Sequence, residues 1–231
     1  ENQPCIPAEL SFVEEVERNT MLKKDGIEIY TVEHLLSAVC ALGIDNLCIE
    51  IDSCEPPAFD GSSKVFVEAL LEAGQQVLED PKPKFNLESP VYYSSGETIL
   101  VALPSETFKV SYTLNYSPET WIGTQYYSWD MNQESYIKEI APSRTFCLYE
   151  ELEYLKSKGL IKGGSLENAV VVKGKQLLNP EGARFNNEMV RHKILDLVGD
   201  LSLIGKYFNA HIIAVCSGHI ANCRFAKLIA N

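Results

Sequence analysis

The stretch Glu188-Met-Val-Arg-His-Lys-Ile-Leu-Asp-Leu-Val-Gly-Asp200 constrains the fold more than any other part of the chain. His192, Asp196 and Asp200 recur at four-residue intervals. At about 100° per residue they share a wedge of roughly 80° on one helix face. Met189, Ile194, Leu197, Val198 and Leu201 occupy the rest of the surface. A helix this apolar predicts burial, and a buried carboxylate needs a partner. A histidine and an aspartate one turn apart can each give one ligand atom to the same cation. The plainer reading is a His–Asp hydrogen bond in a core, or a salt bridge from Arg191 or Lys193 to Asp196. Asp200, one turn further, reads as a carboxylate that orients a histidine.

The chain has four histidines, and two others lie in suggestive contexts: Thr31-Val-Glu-His34-Leu-Leu and Ser217-Gly-His219-Ile-Ala-Asn222. With Thr31 as the cap, Glu33 and His34 fall in the first helical turn, where the helix dipole favours an ionised Glu33. The competing reading is the ordinary polar first turn of an amphipathic helix. His219 ends a strand and opens a helix, a place for a catalytic side chain or for a structural turn. His211 opens an apolar strand and reads as structural. Three protein ligands with an open fourth position characterise catalytic zinc. His34, His192 and Asp196 make three, which leaves Glu33 and His219 as acid–base groups. That set suits metal-assisted hydrolysis. The same ligands accept iron, so zinc and Fe2+ both stay open.

A formal charge of −12 argues against nucleic acid, which requires a basic surface. Apolar residues at 45% supply a packed core for one large domain or two small ones over 231 residues. No apolar run approaches the ~18 residues of a membrane span. The seven cysteines include no Cys-x-x-Cys pair. Cys40 lies in a helical pattern, and Cys48 and Cys216 lie in strand patterns. They are expected to be buried free thiols in a reducing cytoplasm.

The first half reads β-α-β-α. Gly26–Tyr30 is a strand, Val32–Leu42 a helix closed by Gly43, Asn46–Asp52 an alternating strand, and Lys64–Ala73 a helix closed by Gly74. Glu79-Asp-Pro-Lys-Pro-Lys84 reads as a linker. Strands follow at Pro90–Tyr93, Thr98–Leu103, Phe108–Leu114 and Thr124–Trp129, then helices at Gln133–Ile140 and Leu148–Lys158. Ala169–Lys173 is a strand turned at Gly174. The striped helix, strand His211–Cys216 and helix His219–Ala230 complete the chain. Strands precede a long helix in each half, which predicts an α+β protein of two similar layers. The boundary falls at 1–81 and 82–231. Glu1–Thr20 reads as the middle of something, so residues upstream are expected.

Several segments together resemble a known family. Thr31-Val-Glu-His-Leu35, Gly43-Ile-Asp-Asn46, Phe59-Asp-Gly-Ser62, Ser143-Arg-Thr-Phe146, Gly163-Gly-Ser165, Arg191–Asp200 and Ser217–Asn222 are similar, in order, to the UDP-3-O-acyl-N-acetylglucosamine deacetylases. These are zinc amidases of lipid A synthesis in Gram-negative bacteria. The resemblance implies two two-layer β/α sandwich domains, ribosomal S5 domain 2-like, with the active site at the cleft between them. It implies that His34, His192 and Asp196 hold zinc and that Glu33 is the general base. His219 would be the cationic acid, with Asp200 bonded to it. Lys193 would face the substrate, and Thr145 would assist the oxyanion. Phe146 would lie beside the sugar, with Gly164 and Ser165 in the substrate site. The segment near 158–185 would be a βαβ insert forming an acyl-chain tunnel, with Leu160, Ile161, Ala169 and Val171 as apolar members. The chain departs from the family in lacking its opening strands and its Gly-x-Gly-x-His-x-Gly stretch. Lys23 also stands where many members carry a cysteine.

The expected reaction is hydrolysis of the N-acetyl group of UDP-3-O-acyl-N-acetylglucosamine by a cytoplasmic monomer. The alternatives are an amidohydrolase acting on another acylated sugar, the deacetylase half of a fusion with a hydroxyacyl dehydratase, or a non-catalytic binding module.

Overall fold

The computed structural model describes residues 4–152 and 165–231. The largest sheet has the order β5-β6-β12-β7-β8, with β4 also paired to β12. Its strands are β4 (Lys84–Asn86), β5 (Val91–Ser95), β6 (Thr98–Pro104), β7 (Lys109–Asn115), β8 (Thr124–Asp130) and β12 (Tyr207–Val215). Alternation decides its buried face. Leu100, Ala102, Val110, Tyr112, Ala210, Ile212 and Ala214 are fully buried, while Ile99 on the opposite face is 38% exposed. The alanines keep that inner face low, so helices approach it closely. β12 runs parallel to β7 and antiparallel to β6.

Two helices pack on that inner face, α3 (Glu188–Ser202) and α4 (His219–Ala230), while α1 (Glu33–Ala41) packs on α3 and α2 (Lys64–Ala73) packs on α1. The striped sequence is the centre of α3, and its burial is as predicted: Met189, Val190, Ile194, Leu195 and Leu197 have no exposed surface. α1 crosses α3 so closely that a Cβ on Gly199 would lie 2.1 Å from the carbonyl oxygen of Glu33. Any side chain there would force the two helices apart. Two three-stranded sheets flank this core. One has the order β1-β2-β3 (Val13–Glu14, Met21–Lys24, Ile27–Ile29) and delivers Thr20 to the start of α1. The other has the order β11-β10-β9 (Gln176–Leu177, Val170–Lys173, Phe146–Leu148), with β9 parallel to β10.

Several expectations change. Thr31 does not cap α1. It sits at φ +56°, a left-handed conformation that a β-branched residue rarely adopts, and its hydroxyl donates to Glu55 instead. Val32 precedes the helix, and its amide donates to the Thr20 carbonyl, so Glu33 is the first helical residue. Asn46–Asp52 is not a strand. It finds no partner strand among the described residues, and Leu47, Ile49 and Ile51 are 46%, 43% and 36% exposed. For the same reason Cys48 is an exposed thiol rather than a buried one.

The linker is not free along its whole length. Lys84 pairs with Tyr207 at the start of β4, and Lys82 bonds Asp45 at 2.7 Å while lying over the Tyr207 ring. Leu148 belongs to β9, so the helix expected from it begins one residue later, and 153–158 lie outside the described residues. The Gln133–Ile140 helix is present but opens into a π turn from Tyr136, with the Ala141 amide reaching the Tyr136 carbonyl.

Candidate active site

Two helices from distant parts of the chain bring the polar residues together. α1 presents Glu33 and His34 from its first turn, and α3 presents His192, Asp196 and Asp200 from successive turns. His219 arrives from the first position of α4. Glu33, His192 and Asp196 are each 2% exposed, Asp200 is fully buried and His34 is 8% exposed.

One atom from each of His34, His192 and Asp196 lies within 4.8 Å of the others. Asp196 Oδ1 stands 3.5 Å from His34 Nε2 and 3.3 Å from His192 Nε2. Tetrahedral ligands at about 2.0–2.2 Å from a zinc ion stand about 3.3–3.5 Å apart. Asp196 Oδ1 is buried and has no hydrogen-bond partner. A buried anionic oxygen left in that state is costly, and a cation resolves it. The residues therefore fit a divalent metal.

The surrounding groups fix the ligands. Ser143 O lies 3.1 Å from His192 Nδ1, which leaves Nε2 facing the cluster. Lys193 Nζ donates to Asp196 Oδ2 at 2.7 Å, so one carboxylate oxygen is tied and the other is free. The salt bridge that rivalled a metal on sequence grounds is thus present, and it coexists with a free ligand oxygen. Arg191 turns away, its guanidinium lying over Tyr127 and Phe185.

Charge is distributed unevenly. Burial pushes His192 down to about 3, so it is a neutral imidazole fit to ligate. Burial also acts against a proton on His34, but Asp196 and Glu33 outweigh it and raise that histidine. His219 is driven up to about 9, because Asp200, Glu33 and Asp196 overcome its desolvation. Burial raises Glu33 against the pull of His219 and His34, which suits a group that must accept a proton near neutrality. Asp196 is held well below the usual range, because His192, Lys193 and His219 outweigh its burial.

His219 Nδ1 is bonded to Asp200 Oδ2 at 3.1 Å, and Asn222 Nδ2 donates to the same oxygen at 2.8 Å. His219 Nε2 then faces Glu33 Oε1 at 3.9 Å and Asp196 Oδ2 at 3.8 Å. Thr145 is pinned by both backbone groups, its amide on Gly61 O and its carbonyl under the Val170 amide. The Phe146 ring lies 6.2 Å from that of His192. Ser165 is exposed and makes local bonds with Glu167 and Asn168. Gly164, Leu160 and Ile161 lie outside the described residues. His211 sits on the outer face of the large sheet, 2.8 Å from Ser111 Oγ, away from the cluster.

The sequence reading missed three participants. Thr20 and Asn222 bond Asp200, and buried Arg144, between Ser143 and Thr145 in the chain, bonds Glu188 through both its amide and its guanidinium. The one signal available was the need for donors around two buried carboxylates.

A buried two-histidine, one-carboxylate cluster with a carboxylate and a cationic histidine beside it defines a metal-site protein with acid–base groups at hand. Over residues 1–231 the sequence matches the LpxC family, UDP-3-O-acyl N-acetylglycosamine deacetylase. The chain is 52% identical over 224 residues to the UDP-3-O-acyl-N-acetylglucosamine deacetylase of Chlamydia muridarum, covering 97% of this chain and 78% of that protein. It is 49% identical over 228 residues to that of Chlamydia pneumoniae, covering 99% and 81%. The chain belongs to the LpxC family, a family of metalloenzymes.

Proposed function

We propose that this protein hydrolyses the N-acetyl group of UDP-3-O-acyl-N-acetylglucosamine, releasing acetate and a free amine, in lipid A biosynthesis. The observation that carries the reading is the free, buried Asp196 Oδ1 between two imidazole nitrogens, in a chain of this family. Its relatives' names supply the substrate.

His34 Nε2, His192 Nε2 and Asp196 Oδ1 would hold zinc. When bound, that ion supplies Lewis acidity toward the amide oxygen and acidifies water. Glu33 Oε1, on the cluster side, takes the proton of the attacking water. The Thr145 hydroxyl donates to the developing oxyanion, a contribution typically worth about 3 kcal/mol. His219 Nε2 passes its proton to the departing nitrogen, while Asp200 keeps the ring in place from Nδ1. Lys193 holds Asp196 Oδ2 and so presents Oδ1 alone. Phe146 and Ser165 line the sugar site, and Gly164, expected beside them, lies outside the described residues. Residues 1–81 and 82–231 are two similar two-layer halves, and the site lies where they meet. Support comes from the ligands themselves, one on α1 and two on α3.

The test pairs metal analysis with product analysis. Protein reconstituted with zinc, or anaerobically with Fe2+, should carry one ion per chain and release acetate from UDP-3-O-acyl-N-acetylglucosamine. Stoichiometric metal without acetate would refute the substrate. Absence of both would refute the site.

A further inference from the structure

Thr20 stands between the two groups to which proton transfer is assigned. It is 2% exposed and immediately precedes β2. Its backbone amide donates to Glu33 Oε2 at 3.0 Å. Its carbonyl accepts the Val32 amide at 3.3 Å, so the start of α1 is held from two sides. Its hydroxyl donates to Asp200 Oδ1 at 2.5 Å. The same oxygen lies 3.4 Å from His219 Nδ1.

Each bond removes one freedom. With Oε2 of Glu33 occupied, Oε1 is the oxygen left for the cluster and for His219. With the hydroxyl proton given to Asp200, the Thr20 oxygen has only lone pairs to offer His219 Nδ1. Asp200 Oδ2 takes Nδ1 as well. Both neighbours of Nδ1 are then acceptors, so the nitrogen must carry its proton, and Nε2 is directed into the site. Asp200 is in turn locked by donors on both oxygens.

We infer that Thr20 is a positioning residue that fixes the base Glu33 through its backbone and the acid His219 through its hydroxyl, coupling the two in one geometry. The inference rests on the acid–base roles proposed above, and it adds a residue to them.

Mutation isolates the hydroxyl arm, because the backbone arm survives any substitution. Thr20→Val keeps shape and backbone but removes the hydroxyl, whereas Thr20→Ser keeps the hydroxyl and removes a methyl. In the zinc-loaded enzyme, Thr20→Val should lower kcat at least about tenfold, the scale for losing an outer-shell partner, with KM within about twofold. Metal content should stay at the wild-type value, the melting temperature should fall because buried Asp200 Oδ1 loses its donor, and Thr20→Ser should restore most of both rate and stability.

A second readout needs no substrate. With 15N-histidine labelling, the His219 ring nitrogens should shift in Thr20→Val and keep wild-type positions in Thr20→Ser. Unmoved His219 signals in Thr20→Val, or equal losses of rate in both variants, would overturn the inference. A wild-type enzyme that released no acetate would sink the substrate assignment, and the ring signals would still decide the role of Thr20. Should Thr20→Val fail to fold, a Thr20→Ser enzyme with displaced ring signals would overturn it by itself.

Discussion

Gly199 offers the sharpest test of how the site is assembled. A glycine inside a helix is normally a defect, worth about 1 kcal/mol against alanine. Here it lies between Asp196 and Asp200 on the face that meets α1. A Cβ would stand 2.1 Å from Glu33 O and 2.8 Å from Glu33 C, both backbone atoms that no rotamer change can move. Ordinary contact begins at 3.4 Å, so Gly199→Ala must separate α1 from α3 by about 1.3 Å. Overpacking of this kind costs about 1–3 kcal/mol, and the upper half of that range applies because backbone is struck. After the gain in helix propensity, a net loss of about 1–2 kcal/mol remains. For a chain of this size that lowers the melting temperature by roughly 2–8 °C. The site should suffer more than the fold. Ligand distances must hold within about 0.2 Å, and the displaced element carries His34. Zinc affinity is therefore expected to fall about 10–100-fold, as when a ligand's supports are disturbed. Calorimetry and chelator competition on one preparation measure both effects. A variant that melts higher than wild type and binds zinc as tightly would refute the close crossing.

The other expectations are briefer. Glu33→Ala should keep its metal and lose about 100-fold or more in acetate release, the scale of a positioned general base; unchanged turnover would remove that role. His219, raised to about 9, should hold its proton through neutrality, so activity should decline as pH rises past about 9. The same raised value stabilises the metal-free fold fully below about pH 6.5, and that contribution is lost as pH rises through about 9; metal-free unfolding midpoints across the range check it. Glu188→Ala removes one of the two carboxylates on buried Arg144, which keeps Glu181 and the Gly182 carbonyl, and it leaves the Arg184 amide without its acceptor. It should cost about 1–3 kcal/mol by urea denaturation, the scale for buried donors that lose an acceptor, and little sensitivity to added salt is expected. Zinc must displace any proton that Asp196 and Glu33 hold on His34, so binding should release protons and tighten with pH; calorimetry in buffers of different ionisation enthalpy counts them, and zero release would contradict the ligand role of His34.

Long amphipathic segments were the most legible part of the fold. The α3 stripe repeats over several turns, and β6, β7 and β12 alternate over many residues, so each carries its own consistency check. Asn46–Asp52 has the same alternation and is not a strand, because period records which side chains share a face and says nothing about a neighbour for the backbone. β1 and β11, at two residues each, are too short to show any period. Thr31 was misread for a related reason. Capping preference is a local propensity, whereas its left-handed backbone leaves the hydroxyl on Glu55 and the work of holding the helix start to Thr20.

The site divides along a similar line. His192 and Asp196 were legible as a pair because one helix fixes their spacing. Their meeting with His34 joins positions far apart in sequence, and periodicity cannot supply that; the count of histidines suggested it and the family resemblance carried it. Thr20 gave no signal at all, since half of what it contributes is a backbone amide that any residue possesses. Yet the buried carboxylates imply it. Glu33 and Asp200 must each find donors, the amides inside α3 are committed to helical bonds, and a third segment supplies the Thr20 amide and hydroxyl. On the role inferred for Thr20, the short sheet that delivers it belongs to the chemistry, because it brings the donors that Glu33 and Asp200 take.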